Sequence, residues 1–263
     1  MKRYLSIYRC LLQLNYHRML THRENFFNGL IASVAWGVFS IVAIYILTSR
    51  SSSVFGWSRA ELFVLIGVFN ILVGSTYRMF FARNFDRFTQ VIQRGELDAI
   101  LLKPYSSQFA LSFWYISYHN IVRVILSILY TGIALTAAHV PITAIGILEF
   151  CCFSIFGLFI LYAVWYMVMT TVMWFPDLYN ITELLYSVDS ITRYPPQILW
   201  AMRFAAFIVF FPLTLTVSIP TKALLHTVTL SDAAIIISFG CGLLAASHWF
   251  WKFSLRYYTS ASG

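Results

Sequence analysis

The chain has 263 residues, of which 60% are hydrophobic and 11% charged, with a mean hydropathy of +0.75. Soluble domains carry roughly a quarter charged residues, so this composition excludes a soluble globular protein and implies an integral membrane one. The net charge of +8 does not point to nucleic acid, because the basic residues sit beside apolar runs and form no groove with interleaved aromatics.

The apolar runs are continuous rather than alternating, which selects a helical bundle over a β-barrel, and an all-α architecture is expected. Cys10, Cys151, Cys152 and Cys241 follow no disulfide or metal-ligand spacing and read as small buried apolar residues.

Residues 1–25 hold Lys2, Arg3, Arg9, Arg18 and Arg23, with no acid before Glu24. Tyr4, Ile7, Tyr8, Leu11 and Leu12 share one helical face, while Lys2, Ser6, Arg9, Gln13 and His17 share the other. The pattern is that of an amphipathic helix lying in the membrane interface, basic side to the headgroups. An organelle transit peptide has similar features and is the alternative. A cleaved secretory signal fits less well, because the first long apolar run begins only after residue 25.

Six spans are expected within 26–263, at about 26–47, 61–81, 115–138, 145–166, 199–219 and 233–250. Between the second and third lies the densest island of charge, 83–104, with Arg83, Asp86, Arg87, Arg94, Glu96, Asp98 and Lys103. Phe85, Phe88 and Ile92 fall on one helical face, and Leu97, Ile100 and Leu101 repeat the spacing. Gly95 between them predicts a break, and Lys103-Pro104 a stop. Two short amphipathic helices meeting at an elbow result. Between the fourth and fifth spans, residues 176–196 carry Asp177, Glu183, Asp189 and Arg193 on a helical apolar period, predicting an interfacial helix closed by Pro195-Pro196. Lys and Arg crowd the side that holds both termini and the elbow, which places that side in the cytoplasm.

Arg123 and Glu149 sit inside expected spans, where a charge costs roughly 2.5–3.5 kcal/mol. Either the two meet and hold the third and fourth spans in register, or Arg123 snorkels to the headgroups and Glu149 is protonated. His119, His139, His226 and His248 lie singly near span ends and read as polar anchors.

The order of a basic interfacial helix, two spans, RGELDAILLKP (Arg94–Pro104), four more spans with RYPP (Arg193–Pro196) before the fifth, and the tail LRYYTSASG (Leu255–Gly263) resembles the ABC-2 type permeases. It is most similar to a bacterial subfamily of uncharacterised ABC-2 permease components with an RG-x-LD-x-x-L-x-KP segment. FPDLYNITEL and FPLTLTVSIP (Phe211–Pro220) depart from the family's pattern, which bears on cargo more than on fold.

The resemblance implies the permease half of an exporter in the bacterial inner membrane. Two such subunits, identical or similar, would pair in the membrane, each resting on a cytoplasmic ABC ATPase subunit. ATP and Mg would be used by that partner and no cofactor bound by this chain, which contains no G-x-x-x-x-G-K-[ST] phosphate loop. The elbow would be the coupling segment: Phe85, Phe88, Leu97 and Leu101 would seat in a groove of the ATPase, with Arg94, Gly95, Glu96, Asp98, Lys103 and Pro104 at the bend and in solvent. The second and fifth spans would border the translocation path, offering Asn70, Ser75, Thr76 and Tyr77 with Arg203, Thr214, Thr216 and Ser218, for an amphipathic or lipid-like cargo.

Other classes fit less well. A secondary transporter, or another multi-pass protein without an ATPase partner, is the alternative, but no inverted repeat is evident. No charged pore ring suggests a channel, and the histidines and acids do not cluster as an enzyme or metal site requires.

Overall fold

The computed structural model describes residues 2–49, 53–54, 56–175, 181–197 and 204–258, with the side chains of 182, 184, 185 and 204–209 outside that description. Helix α1 (Lys2–Thr21) is followed by α2 (Arg23–Thr48) and a short antiparallel hairpin, β1 (Ser53–Val54) with β2 (Trp57–Ser58). Next come α3 (Arg59–Ile71), a π-helical segment (Leu72–Ala82), α4 (Arg83–Gln93), α5 (Leu97–Leu101) and α6 (Ser107–Ser112). The remainder is α7 (Asn120–Ala137), α8 (Ala144–Thr170), α9 (Ile181–Asp189), α10 (Phe204–Leu224) and α11 (Leu230–Ser254).

Among the described residues, five helices are long and apolar enough to cross a membrane: Arg23–Thr48, Arg59–Gln93, Asn120–Ala137, Ala144–Met173 and Leu230–Ser254. In the place of the expected fifth span, α10 runs for 21 residues along α8, and residues 199–203 lie outside the description. Helix α10 continues through Pro212 and Pro220, past the expected end at Ile219. Hydroxyls on that helix bond the carbonyls around the prolines: Thr214 to Phe211 O, Ser218 to Thr214 O and Thr221 to Val217 O.

The buried centre is α3, where Leu62, Val64, Leu65, Ile66 and Val68 are all inside. It packs against α2 and α7 on one side and α10 on the other, and α8 packs between α10 and α11. The faces left outward on α2 (Phe27, Ile31, Phe39), α7 (Ile125, Leu129, Ile133) and the start of α8 (Ile145, Leu148) are apolar, as lipid contact requires. The four cysteines are exposed on the chain's surface and not buried, contrary to the sequence reading.

Three further features differ from expectation. The second span was expected to stop at Phe81, but the helix runs unbroken from Arg59 to Gln93, because arginine and aspartate do not interrupt a helix as a left-handed glycine does. It starts at a capping box in which Glu61 N–H donates to Ser58 Oγ and Ser58 N–H to Glu61 Oε2. The third span was expected from Tyr115, but helix begins only at Asn120. Asn84 holds the preceding stretch in a non-helical course: its Oδ1 accepts from Tyr115 N–H (2.8 Å) and its Nδ2 donates to Tyr115 O (2.9 Å), while Ser117 N–H reaches Met79 O.

The third difference concerns 176–196, of which 176–180, with Asp177, lie outside the description. Helix α9 leads into the 3-10 turn Ser190–Arg193, which packs against α10 and α3 within the bundle. Asp189 is buried and accepts from Trp165 Nε1 (2.9 Å), and Arg193 stacks over Phe69. Tyr186 OH donates to the Asp86 carboxylate and Trp57 Nε1 to Gln197 Oε1, so the segment is tied near both ends of the long Arg59–Gln93 helix.

Helix α1 is present as expected. It lies along residues 106–118: Tyr4 meets Phe109 and Tyr8 meets Phe113 edge-on, Asn15 Nδ2 donates to Trp114 O, and Tyr118 OH to Leu12 O. His139 and His226 are more than anchors, for each takes the left-handed position after a helix (φ 55° and 56°). Val140 N–H reaches Leu135 O there, and Thr227 N–H reaches Lys222 O.

Candidate functional site

The elbow forms as its glycine predicts. Gly95 has φ +70°, its N–H reaches Ile92 O, and Glu96 N–H reaches Val91 O, the paired bonds that end a helix on a left-handed residue. The chain then turns into α5 and leaves it at Lys103-Pro104.

The apolar face of the elbow is turned the other way from the expectation. Phe85 (2% exposed), Phe88 (0%) and Leu97 (0%) are inside the chain. Phe85 lies 5.9 Å from Tyr162, and Phe88 lies 5.6 Å from Tyr166 and 5.7 Å from Trp251, ring centre to ring centre. These residues join α4 to the ends of α8 and α11 and present no surface to a partner. Exposed instead are Arg94, Glu96, Leu101, Pro104 and above all Leu102, at 87%. Sequence reasoning missed Leu102, which is one more leucine in LLKP until the fold shows that nothing covers it. Arg87 pairs with Glu96 at 3.9 Å, and Arg87 and Lys103 each sit 5.0 Å over the Trp114 ring. Asp98 faces Tyr258 of the tail.

Arg123 is 5% exposed, and its partner is Asn70 Oδ1, to which Nη2 donates at 2.6 Å. Asn70 Nδ2 in turn donates to Ser40 Oγ and to Ile66 O, and Ser40 Oγ to Gly37 O. One chain of hydrogen bonds thus links α7, α3 and α2. Gly74 makes it possible, since a Cβ there would stand 2.5 Å from Arg123 Nη2. Beside it the helix widens to π geometry, and Ser75 and Thr76 hydroxyls both bond Ile71 O, Ser75 also bonding Asn70 O. Glu149 makes no ion pair among the described residues, whose pairs are Arg87–Glu96 and Lys222–Asp232. Of the two readings of Arg123 and Glu149, the contact between them is therefore not formed. Helix α7 packs on α3 and α2 while α8 packs on α10 and α11, so the short loop joins helices with different neighbours.

Of the expected path residues, Asn70 is held in the arginine cluster, Tyr77 is buried, and Thr214 and Thr216 are buried in the core, the latter against Gly157 of α8. Arg203 lies outside the description. Thr76 alone of these opens into a cavity of about 620 Å³ between α1, the π segment, α6, α8 and α11. Its walls are mostly aromatic and aliphatic side chains. Along one side runs a polar row in which His248 Nδ1 donates to Gln108 Oε1 (2.7 Å), Gln108 Nε2 donates to Tyr162 OH (3.3 Å), and Tyr162 OH bonds Ser112 Oγ (2.8 Å). Residues so far apart in sequence gave no local signal of this row.

The family described as ABC-2 family transporter protein matches this chain over residues 34–262. No curated protein and no solved structure matches it. The match begins within α2 and takes in every helix from α3 onward, with the elbow and all of the cavity's walls but Tyr8, and the chain belongs to the ABC-2 transporter family.

Proposed function

We propose that the chain is the permease subunit of an ABC-2 type exporter, moving an amphipathic or lipid-like cargo out of the cytoplasm with energy from a separate ABC ATPase. In this reading it crosses the bacterial inner membrane six times, with α10 as the fifth span and both termini in the cytoplasm. It pairs with a second permease subunit, and it is not itself the enzyme, because ATP and Mg are used by the partner.

The observation that carries the reading is the single 35-residue helix from Arg59 to Gln93. At 1.5 Å per residue it is about 50 Å long, well beyond a hydrocarbon core of about 30 Å. Its excess ends at the elbow. A displacement applied at Arg94, Glu96, Leu101 and Leu102 would pass through the elbow into one continuous helix that reaches the centre of the bundle, which is what coupling to a cytoplasmic motor needs. The cavity of about 620 Å³, apolar with one hydrogen-bonding side, supports an amphipathic cargo.

The test is purification of the full chain from its host in mild detergent. An ABC ATPase identified in stoichiometric amount, whose hydrolysis depends on this chain after reconstitution, is the expected result. A stable protein without an ATPase that shows solute-dependent fluorescence would instead make it a secondary transporter.

A further inference from the structure

A second cavity, of about 450 Å³, opens where α1 meets α2. Its walls come from the end of α1, the junction at His22, the first turns of α2, Arg83 at the start of α4, and the irregular residues 115–119. Four of its lining residues are basic or can become so: Arg18, His22, Arg83 and His119. No carboxylate lines it. Glu24 is on the first turn of α2 but not in the wall, and Asp86, one turn beyond Arg83, accepts from Tyr186 on α9.

The two guanidiniums converge on one ring. Arg18 Cζ lies 5.4 Å and Arg83 Cζ 4.8 Å from the centre of Tyr115, whose backbone is clamped by Asn84. Neither arginine forms an ion pair among the described residues, although the Asp86 carboxylate, outside this wall, feels the charge of Arg83. Burial first, and then the charge of Arg83, lower the pKa of His119 from its ordinary value. Positive groups held together in this way repel one another, and an anion seated between them relieves the repulsion. The guanidinium fork suits two oxygens of a phosphate. Asn25 and Ser117 add neutral polar groups to the wall, while Met19 and Phe26 form an apolar part.

We infer that this cavity is a binding site for the phosphate headgroup of an anionic membrane phospholipid. Its location selects a lipid over a soluble anion: it lies at the foot of the apolar helix α2 and beside the basic amphipathic α1, where headgroups gather. Acyl chains can leave past Phe26 along the lipid-facing side of α2. A lipid seated there ties α1, α2 and α4 together at one point.

The test is native mass spectrometry of the full chain titrated with phosphatidylglycerol. Wild type retains a tight adduct, and Arg18→Gln/Arg83→Gln binds it about ten-fold more weakly. Lys252→Gln/Arg256→Gln removes the same charge from an exposed part of the chain and leaves the adduct intact. Should loss of both stacked arginines unfold the protein, His22→Asp adds a carboxylate to the wall at an exposed junction residue with no capping bond, and is expected to expel the lipid from a folded chain. Equal binding by wild type and His22→Asp, or equal loss in the Lys252/Arg256 control, overturns the site. Displacement of the lipid by excess inorganic phosphate overturns the lipid as occupant and leaves a free anion in its place.

Discussion

Arg123 shows how a buried charge can be held without an opposite one. The Asn70 carbonyl oxygen takes one N–H, Gly37 and Gly74 leave room for the head, and Ser40 completes the Asn70 amide. A hydrogen bond to a charged group is worth about 1.5–3 kcal/mol. Asn70→Ala is therefore expected to lower stability in detergent by about that amount, and Arg123→Gln combined with it to lose less than the sum. Arg123→Gln combined with Glu149→Gln should lose the sum, since the two residues do not touch. Thermal unfolding of the five variants decides the matter: additivity in the Asn70 cycle would remove Asn70 as the partner.

The elbow has two leucine surfaces that its sequence does not distinguish. Leu97 belongs to the core with Phe85 and Phe88, whereas Leu102 is open to solvent. Leu97→Asp buries an unpaired carboxylate, and the protein should be lost from the membrane fraction or melt several degrees lower. Leu102→Asp should insert and melt as wild type does, but retain less of the ATPase on purification. If Leu102→Asp keeps the ATPase and transports normally, the exposed tip has no part in coupling.

The proposed orientation rests on the uneven placement of Lys and Arg and can be checked on the intact chain. In a variant lacking Cys151, Cys152 and Cys241, so that Cys10 is the one native thiol left, Cys10 should resist a membrane-impermeant thiol reagent applied to whole cells. Ile142→Cys, on the exposed loop between α7 and α8, should be labelled. Labelling of both residues from outside would remove the six-span topology.

Sequence by itself determined the membrane class and the helical architecture, and its long apolar runs fall on helices, 26–47 on Arg23–Thr48 and 233–250 on Leu230–Ser254. It also located the break at Gly95. These follow from composition, the length of apolar runs and the conformational freedom of one residue type, which are local properties. Tertiary structure alone decided what covers each apolar face and what answers each charge. Helical period shows that Phe85, Phe88 and Leu97 share a side with Leu101, but it does not show whether a partner or the ends of α8 and α11 will cover that side. Sequence left Arg123 to meet Glu149 or to reach the headgroups, and neutral Asn70 serves instead because Gly37 and Gly74 bring three helices close enough for it to reach. The stretch before Asn120 is apolar enough for helix, yet the side chain of Asn84, 31 residues earlier than Tyr115, takes its backbone bonds. Such contacts join residues distant in the chain, and only the folded bundle brings them together.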